Sequence, residues 1–202
     1  MQKPVSQFSP DIHDQLRQSA PAEDKGDPLD GSVRAFLGSG GLDIENPVAL
    51  ARMLVAVAEA NLPVARIVEG HVNALCLLSL HAPDIRLDPD SILGVWGADG
   101  DDPARVEGAT LAGTKCYASG LGLVTDALVT VGSGDAVRLA LVDVRDPRRH
   151  RPGTWTMQGM RATVSGDVDL DGLAPRWIGG PGVYLVEPTF LGGTWRIAAL
   201  QL

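Results

Sequence analysis

The chain is poor in aromatic residues, in cysteine and in positive charge. Phe, Trp and Tyr make up 4% of the 202 residues, so an aromatic outside an apolar run calls for an explanation. There are two cysteines, Cys76 and Cys116, too few for a disulfide scaffold, and a reducing cytoplasm is the simple expectation. Lys and Arg number 17 against 25 Asp and Glu, a formal charge of −8. That balance disfavours nucleic acid or an anionic membrane surface as partner. No apolar run approaches the about 18 residues of a membrane span. The N-terminus, MQKPVSQFSPDIHDQ, lacks the apolar stretch of a signal peptide, so a soluble, cytoplasmic protein is expected. What is present is an ordinary 45% of hydrophobic residues, enough for a sizeable core, with 24 Gly and 14 Pro to make turns.

Periodicity divides the chain. Residues 1–30, with PAEDKGDPLDG at 21–31, read as a polar arm or linker. A helical domain is expected over 31–88, with a short helix near 31–37. In ENPVALARMLVAVAEANL (45–62), Asn46 suits an N-cap and Pro47 the first turn, while Leu50, Met53, Leu54 and Val57 recur at helical spacing. PVARIVEGHVNALCLLSLHA (63–82) repeats the pattern with Val64, Ile67, Val68, Leu75 and Leu78. Gly70 costs about 1 kcal/mol against Ala in mid-helix, which predicts close packing there.

From residue 91 the period shortens. SILGVW, ATLAGTKCYAS, DALVTVG, AVRLALVDV, WTMQGM and ATVSGDVDLDGL read as strands separated by Gly/Asp/Pro turns. They predict an antiparallel barrel or sandwich over 89–188. Residues 189–202 turn helical again. The fold class is therefore α+β, with helices first, strands next and the start of a further helix last.

Within GTKCYASG (113–120), strict alternation puts Lys115, Tyr117 and Ser119 on one face and Cys116 and Ala118 on the other. Such a face is either a solvated edge or a platform for a flat ligand. His71, Cys76, His81 and Cys116 lack zinc spacing, and no metal site is expected. GSGG (38–41) and GGPG (179–182) lack the strand and helix context of a dinucleotide fingerprint. The basic turn RDPRRHR (145–151) is either solvated or a phosphate contact.

Four segments, in order across about 45–202, resemble the acyl-CoA dehydrogenase family. They are the helix pair LARMLVAVAEANLPVARIVEGHVNAL (50–75), LAGTKCYAS (111–119), GMRATVSGDVDLDGL (159–173) and PGVYLVEPTFLGGTWRIAALQL (181–202). The second is similar to the family's L-x-G-x-K-x-W-I-S/T strand. The third is similar to its G-x-R-x-S/T strand, and the fourth to the lead into its C-terminal helical bundle.

The resemblance implies an FAD flavoprotein that dehydrogenates acyl-CoA thioesters at the α,β position. It puts Tyr117 where the family has a Trp against the flavin ring, and Ser119 where a hydroxyl addresses the flavin's reactive nitrogen, N5. GVWGADG (94–100) stands in place of the T-E-P-x-x-G-S-D loop, with Ala98 for the Thr and Asp99 for the Glu. It implies main-chain contacts to flavin from Val95 to Ala98, and leaves Trp96 to line the cofactor site or the core. Trp155 has the same two readings; Arg161 and Thr163 are strand partners or ligand contacts. The family's catalytic base, most adenosine contacts and its homo-oligomer interface lie in the C-terminal bundle, so no catalytic residue is assigned here. A flavin monooxygenase of the same fold and a non-catalytic subunit are the alternatives.

Overall fold

Two asparagines start the two long helices. Asn46 accepts from the amide of Ala49 at 3.1 Å and opens α3 (Pro47–Ala60). Asn61, a cap the sequence pattern does not single out, ends α3 and opens α4 (Leu62–His81), accepting from Val64 N at 3.1 Å. Its Nδ2 also donates to the carbonyl of Leu16, at 3.3 Å. Leu16 lies on α1 (Pro10–Ser19) and is buried, so part of the expected arm is a helix packed on the core. These elements come from a computed structural model that describes residues 10–19, 29–40 and 42–186. The terminal helical segment expected at 189–202 lies outside them.

α2 is Asp30–Gly38, and its Val33 and Phe36 are buried. The predicted stripe of α3 is found: Leu50, Met53, Leu54 and Val57 all face inward. α4 is buried nearly all round, because helices cover one side and strands the other. Gly70 departs from expectation. A Cβ there would meet no atom within 4 Å, so no close approach accounts for it.

Nine strands follow, in three sheets among the described residues rather than one closed barrel. β1 (Leu93–Trp96), β5 (Asp126–Val131), β6 (Arg138–Asp143) and β9 (Arg176–Ile178) form one sheet in the order β1-β5-β6-β9. β2 (Arg105–Glu107) and β3 (Thr110–Ala112) form a hairpin; β4 (Thr114–Ala118), β8 (Gly166–Asp169) and β7 (His150–Arg151) form the third sheet. The expected all-antiparallel pairing is corrected in one place: β1 and β5 are parallel, Leu93 opposite Asp126. Parallel neighbours need a long crossover, and the chain supplies one that contains β2, β3 and β4.

Every residue of β5 is buried, which explains why DALVTV is apolar without clean alternation. Leu128 joins Leu139, Leu141 and Ile178 against Ala74, Leu77 and Leu78 of α4. Ala127, Val129 and Val131 face the larger core, which contains Leu54, Val64, Val68, Val168 and Leu170.

WTMQGM, expected to be a strand, is a loop between two single 3-10 turns, Pro152–Thr154 and Arg161–Thr163. Trp155 fastens it through its indole N–H, which donates to the carbonyl of Gly159 at 3.3 Å. β9 has no clear strand signal because RWI carries a large exposed Arg and only three residues. Across the pair, Arg138 nonetheless stacks its guanidinium 3.7 Å from the Trp177 ring.

Candidate functional site

The alternation expected in GTKCYASG breaks inside β4. Lys115 pairs with Val168 and Ala118 with Gly166, so three steps on β4 oppose two on β8, a bulge of one residue. The extra residue carries the strain. Tyr117 has φ +55°, the left-handed region that costs a bulky side chain about 1 kcal/mol or more. Lys115 therefore points into the core with no exposed surface, while the Tyr117 side is 59% exposed. The expected shared polar face does not form, because a bulge re-aims the side chains beyond it.

Lys115 is occupied by structural partners. Its ammonium donates to Asp99 Oδ1 at 2.6 Å, to Thr130 Oγ1 at 2.8 Å and to the carbonyl of Gly97 at 3.3 Å. Burial lowers its pKa, and the adjacent Asp99 carboxylate opposes that shift. Thr130 belongs to β5, so this one cation ties two sheets to the 97–104 loop. The loop runs along the outer edge of β4: Cys116 N donates to Ala98 O at 2.9 Å, and Thr114 N to Asp102 O at 2.8 Å. Asp99 Oδ1 also accepts from Ala104 N at 3.0 Å. Asp99, standing where a Glu was expected, thus faces inward and holds the loop.

The exposed Tyr117 ring is not isolated. Trp155 meets it edge-to-face, with centroids 6.1 Å apart. Trp155 is half-buried and belongs to the turn after Pro152-Gly153. Two of the chain's few aromatics thus sit together at the surface rather than in the core.

Ser119, two residues on, heads a row of hydroxyls. Its Oγ lies 3.0 Å from Ser165 Oγ, Ser165 Oγ lies 2.7 Å from Thr163 Oγ1, and Thr163 donates to the carbonyl of Met160 at 2.6 Å. Ser165 and Thr163 are buried, whereas Ser119 is half-buried at the open end. Met160 and Val164, which bracket the turn, both have positive φ, +60° and +46°. Arg161, on the same turn as Thr163, is exposed. Three strained non-glycine residues in the described structure therefore all flank the Tyr117–Ser119 strand end.

Ser119 also lines a shallow recess with Arg66, Gly70, Val95, Trp96 and Val124. Three of the five expected cofactor residues, Val95, Trp96 and Ser119, meet there. Tyr117 and Ala98 do not line it. Trp96 is buried, and its indole N–H donates to Ser119 O at 3.2 Å, so it holds the strand end from the core side. Val95 is half-buried and Ala98 exposed. Gly120 (φ +84°) lets the chain turn here, since a Cβ would lie 2.8 Å from Val124 Cγ2 and 3.1 Å from Ile67 Cδ1.

His71 serves as a fastener. Its Nδ1 accepts from the amide of Leu93 at 3.0 Å, joining α4 to β1, and burial lowers its pKa to about 4. Cys116 is half-buried, with its thiol pushed up by burial and then by Asp167, the opposite of an activated nucleophile. The arginines of RDPRRHR are largely used at home: Arg145 pairs with Asp126 and Asp143, Arg148 with Asp146, and Arg149 donates to the carbonyl of Asp171. No group of three or more metal-ligating side chains occurs among the described residues. No helix among them is long and apolar enough to cross a membrane.

No protein-family model matches the sequence, and no curated protein matches it. Solved structures do. One is TdsC, a dibenzothiophene monooxygenase of Paenibacillus sp. A11-2, whose complex with FMN and indole gives a TM-score of 0.66 at 19% identity over 85% of this chain and 52% of that one. Another is butyryl-CoA dehydrogenase of Megasphaera elsdenii, with a TM-score of 0.69 at 14% identity over 99% of this chain and 66% of that one. The methanesulfinate monooxygenase MsuC of Pseudomonas fluorescens gives 0.70 at 13% identity over 99% and 60%. The fold is of the acyl-CoA dehydrogenase type. At these identities the likeness is one of fold, and the chain spans about half the length of TdsC.

Proposed function

We propose that this chain is the helical and β part of a flavin-dependent oxidoreductase, with the end of β4 forming one side of the flavin site. The observation that carries the proposal is Tyr117. A strained backbone holds an exposed aromatic ring against Trp155, in a chain with few aromatics and within a fold whose solved examples include an FMN complex. Packing alone gives no reason to hold a 59% exposed ring at such a cost.

The residues present fit one face of a flat heteroaromatic ring. Tyr117 offers an exposed aromatic surface, and Ser119 would offer its hydroxyl to N5. The turn around Trp155 shields the platform. Val95, Trp96 and Ala98 contribute less directly: Trp96 braces Ser119, and Ala98 brings main chain to the edge of β4. The flavin itself, taken here as FAD, would supply the hydride-accepting or oxygen-activating chemistry.

For the reaction, the sequence resemblance favours α,β-dehydrogenation of an acyl-CoA, by a homo-oligomer completed by further helices. A second reading, a flavin monooxygenase, is favoured by the 97–104 loop. Its Ala98 has no hydroxyl and its Asp99 is engaged by Lys115, which leaves little to hold a thioester. Purification of the protein in yellow, flavin-loaded form tests the shared part. Anaerobic bleaching by an acyl-CoA then selects the dehydrogenase, and oxygen consumption driven by supplied reduced flavin selects the monooxygenase. Protein that binds neither FAD nor FMN rejects both. A non-catalytic subunit would bind no flavin alone and would co-purify with a flavin-carrying homologue.

A further inference from the structure

We propose that Arg138, held against Trp177 at the start of β6, anchors a binding site for an oxyanion, the phosphate or carboxylate group of a small ligand. The assignment does not depend on the flavin reading.

In this acidic chain most of the described arginines face an acceptor of their own. Arg66 pairs with Glu69, Arg145 with Asp126, and Arg149 donates to the carbonyl of Asp171. Arg138 has no such partner. Its Nε is buried without a hydrogen-bond acceptor, and no ion pair to its guanidinium occurs among the described residues. A buried N–H of a charged group that makes no hydrogen bond is costly, so packing alone gives no reason for an arginine here. The side chain as a whole is half-buried, and its two terminal nitrogens form the open end.

The guanidinium is also held in place. Its central carbon lies 3.7 Å from the centroid of the Trp177 ring. Stacking covers one face of the guanidinium and leaves the N–H groups in its plane, free to point past the ring. Arg138 stands opposite Val131 of β5, on the side of the larger core. Beside that pair, Gly132 N donates to Ala104 O at 3.0 Å, and Gly182 N donates to Val137 O at 2.7 Å. The stack therefore sits at a corner where two loops are fastened to the sheet. Two terminal N–H groups side by side match two oxygens of a phosphate or carboxylate in a bidentate, charge-assisted pair. Because the stack already restrains the side chain, little further ordering is needed on binding.

The test is titration of the protein with inorganic phosphate and, separately, with acetate. Ionic strength is held constant with chloride, and binding is read by calorimetry and by Tm. We expect saturable binding of at least one anion, and the stronger of the two identifies the group the site takes. Arg138→Met should weaken binding about tenfold or more. Arg138→Lys, which keeps the charge but loses the fork, should weaken it too, and carries the comparison if Arg138→Met does not fold. Arg176→Met, at an exposed arginine next to Trp177, should leave binding unchanged. Without anion, Arg138→Met should keep or raise the Tm, since it removes an N–H that the fold leaves unpaired. Wild-type protein that binds neither anion overturns the proposal, as does equal binding by wild type and both Arg138 variants. Equal weakening by Arg138→Met and Arg176→Met overturns it as well, because it would show only a general attraction to positive charge.

Discussion

The two larger sheets of this molecule are built on different terms. In β1-β5-β6-β9 the register between β5 and β6 is regular over six pairs, and every β5 side chain is buried. In β4-β8-β7 the ladder is bulged and a lysine is buried, and three hydroxyls stand in a row just beyond the ends of β4 and β8. The same sheet presents a tyrosine in a strained backbone conformation to solvent. The first sheet devotes its sequence to stability. The second departs from local preference around one strand end, the pattern expected where a surface is held ready for a ligand.

Substitutions should expose that contrast. The largest loss is expected from Leu128→Ala in β5: full burial against α4 predicts a cost of about 3.5 kcal/mol by denaturant unfolding, with no effect on ligand selectivity. Acidification comes next. The neutral His71 is favoured in the fold, so its contribution is complete above its unfolded value near 6.5 and is lost as pH falls toward about 4. The shift corresponds to about 3 kcal/mol, and His71→Gln should flatten that segment of the stability–pH curve. Asp99→Ala strips a carboxylate from buried Lys115 and should cost about 2 kcal/mol, reduced from a fully buried pair because Asp99 is partly exposed. A much smaller cost for Asp99→Ala would mean that Lys115 does not tie the two sheets together. Tyr117→Gly has the opposite sign: relief of φ +55° should leave stability unchanged or raise it by up to about 1 kcal/mol, read as Tm.

The regular parts are legible in the sequence. Asn46 and Pro47 mark α3, the apolar spacing gives its inner face, and the apolar runs give β5 and β6. What escapes depends on partners distant in the chain. Nothing near DALVTV says that it pairs in parallel with LGVW. Period-2 reasoning assumes a ladder without a bulge, and one extra residue separates Lys115 from Tyr117. WTMQGM has the composition of a strand but turns back on itself through the Trp155 indole. The site is half legible. The resemblance points to Tyr117 and Ser119, but the row behind Ser119 requires the 161–165 turn to fold back toward β4. Ser165 has no local signal beyond being one hydroxyl among several.

The measurement that bears most directly on the contrast is a flavin titration of wild type and Tyr117→Gly, followed by flavin fluorescence with Tm recorded on the same samples. If the strained end of β4 is a ligand platform, wild type binds flavin and Tyr117→Gly binds it about tenfold or more weakly, with Tm unchanged or higher. Equal affinity in the two proteins, or a variant that loses stability in step with binding, would contradict the account and return Tyr117 to the scaffold.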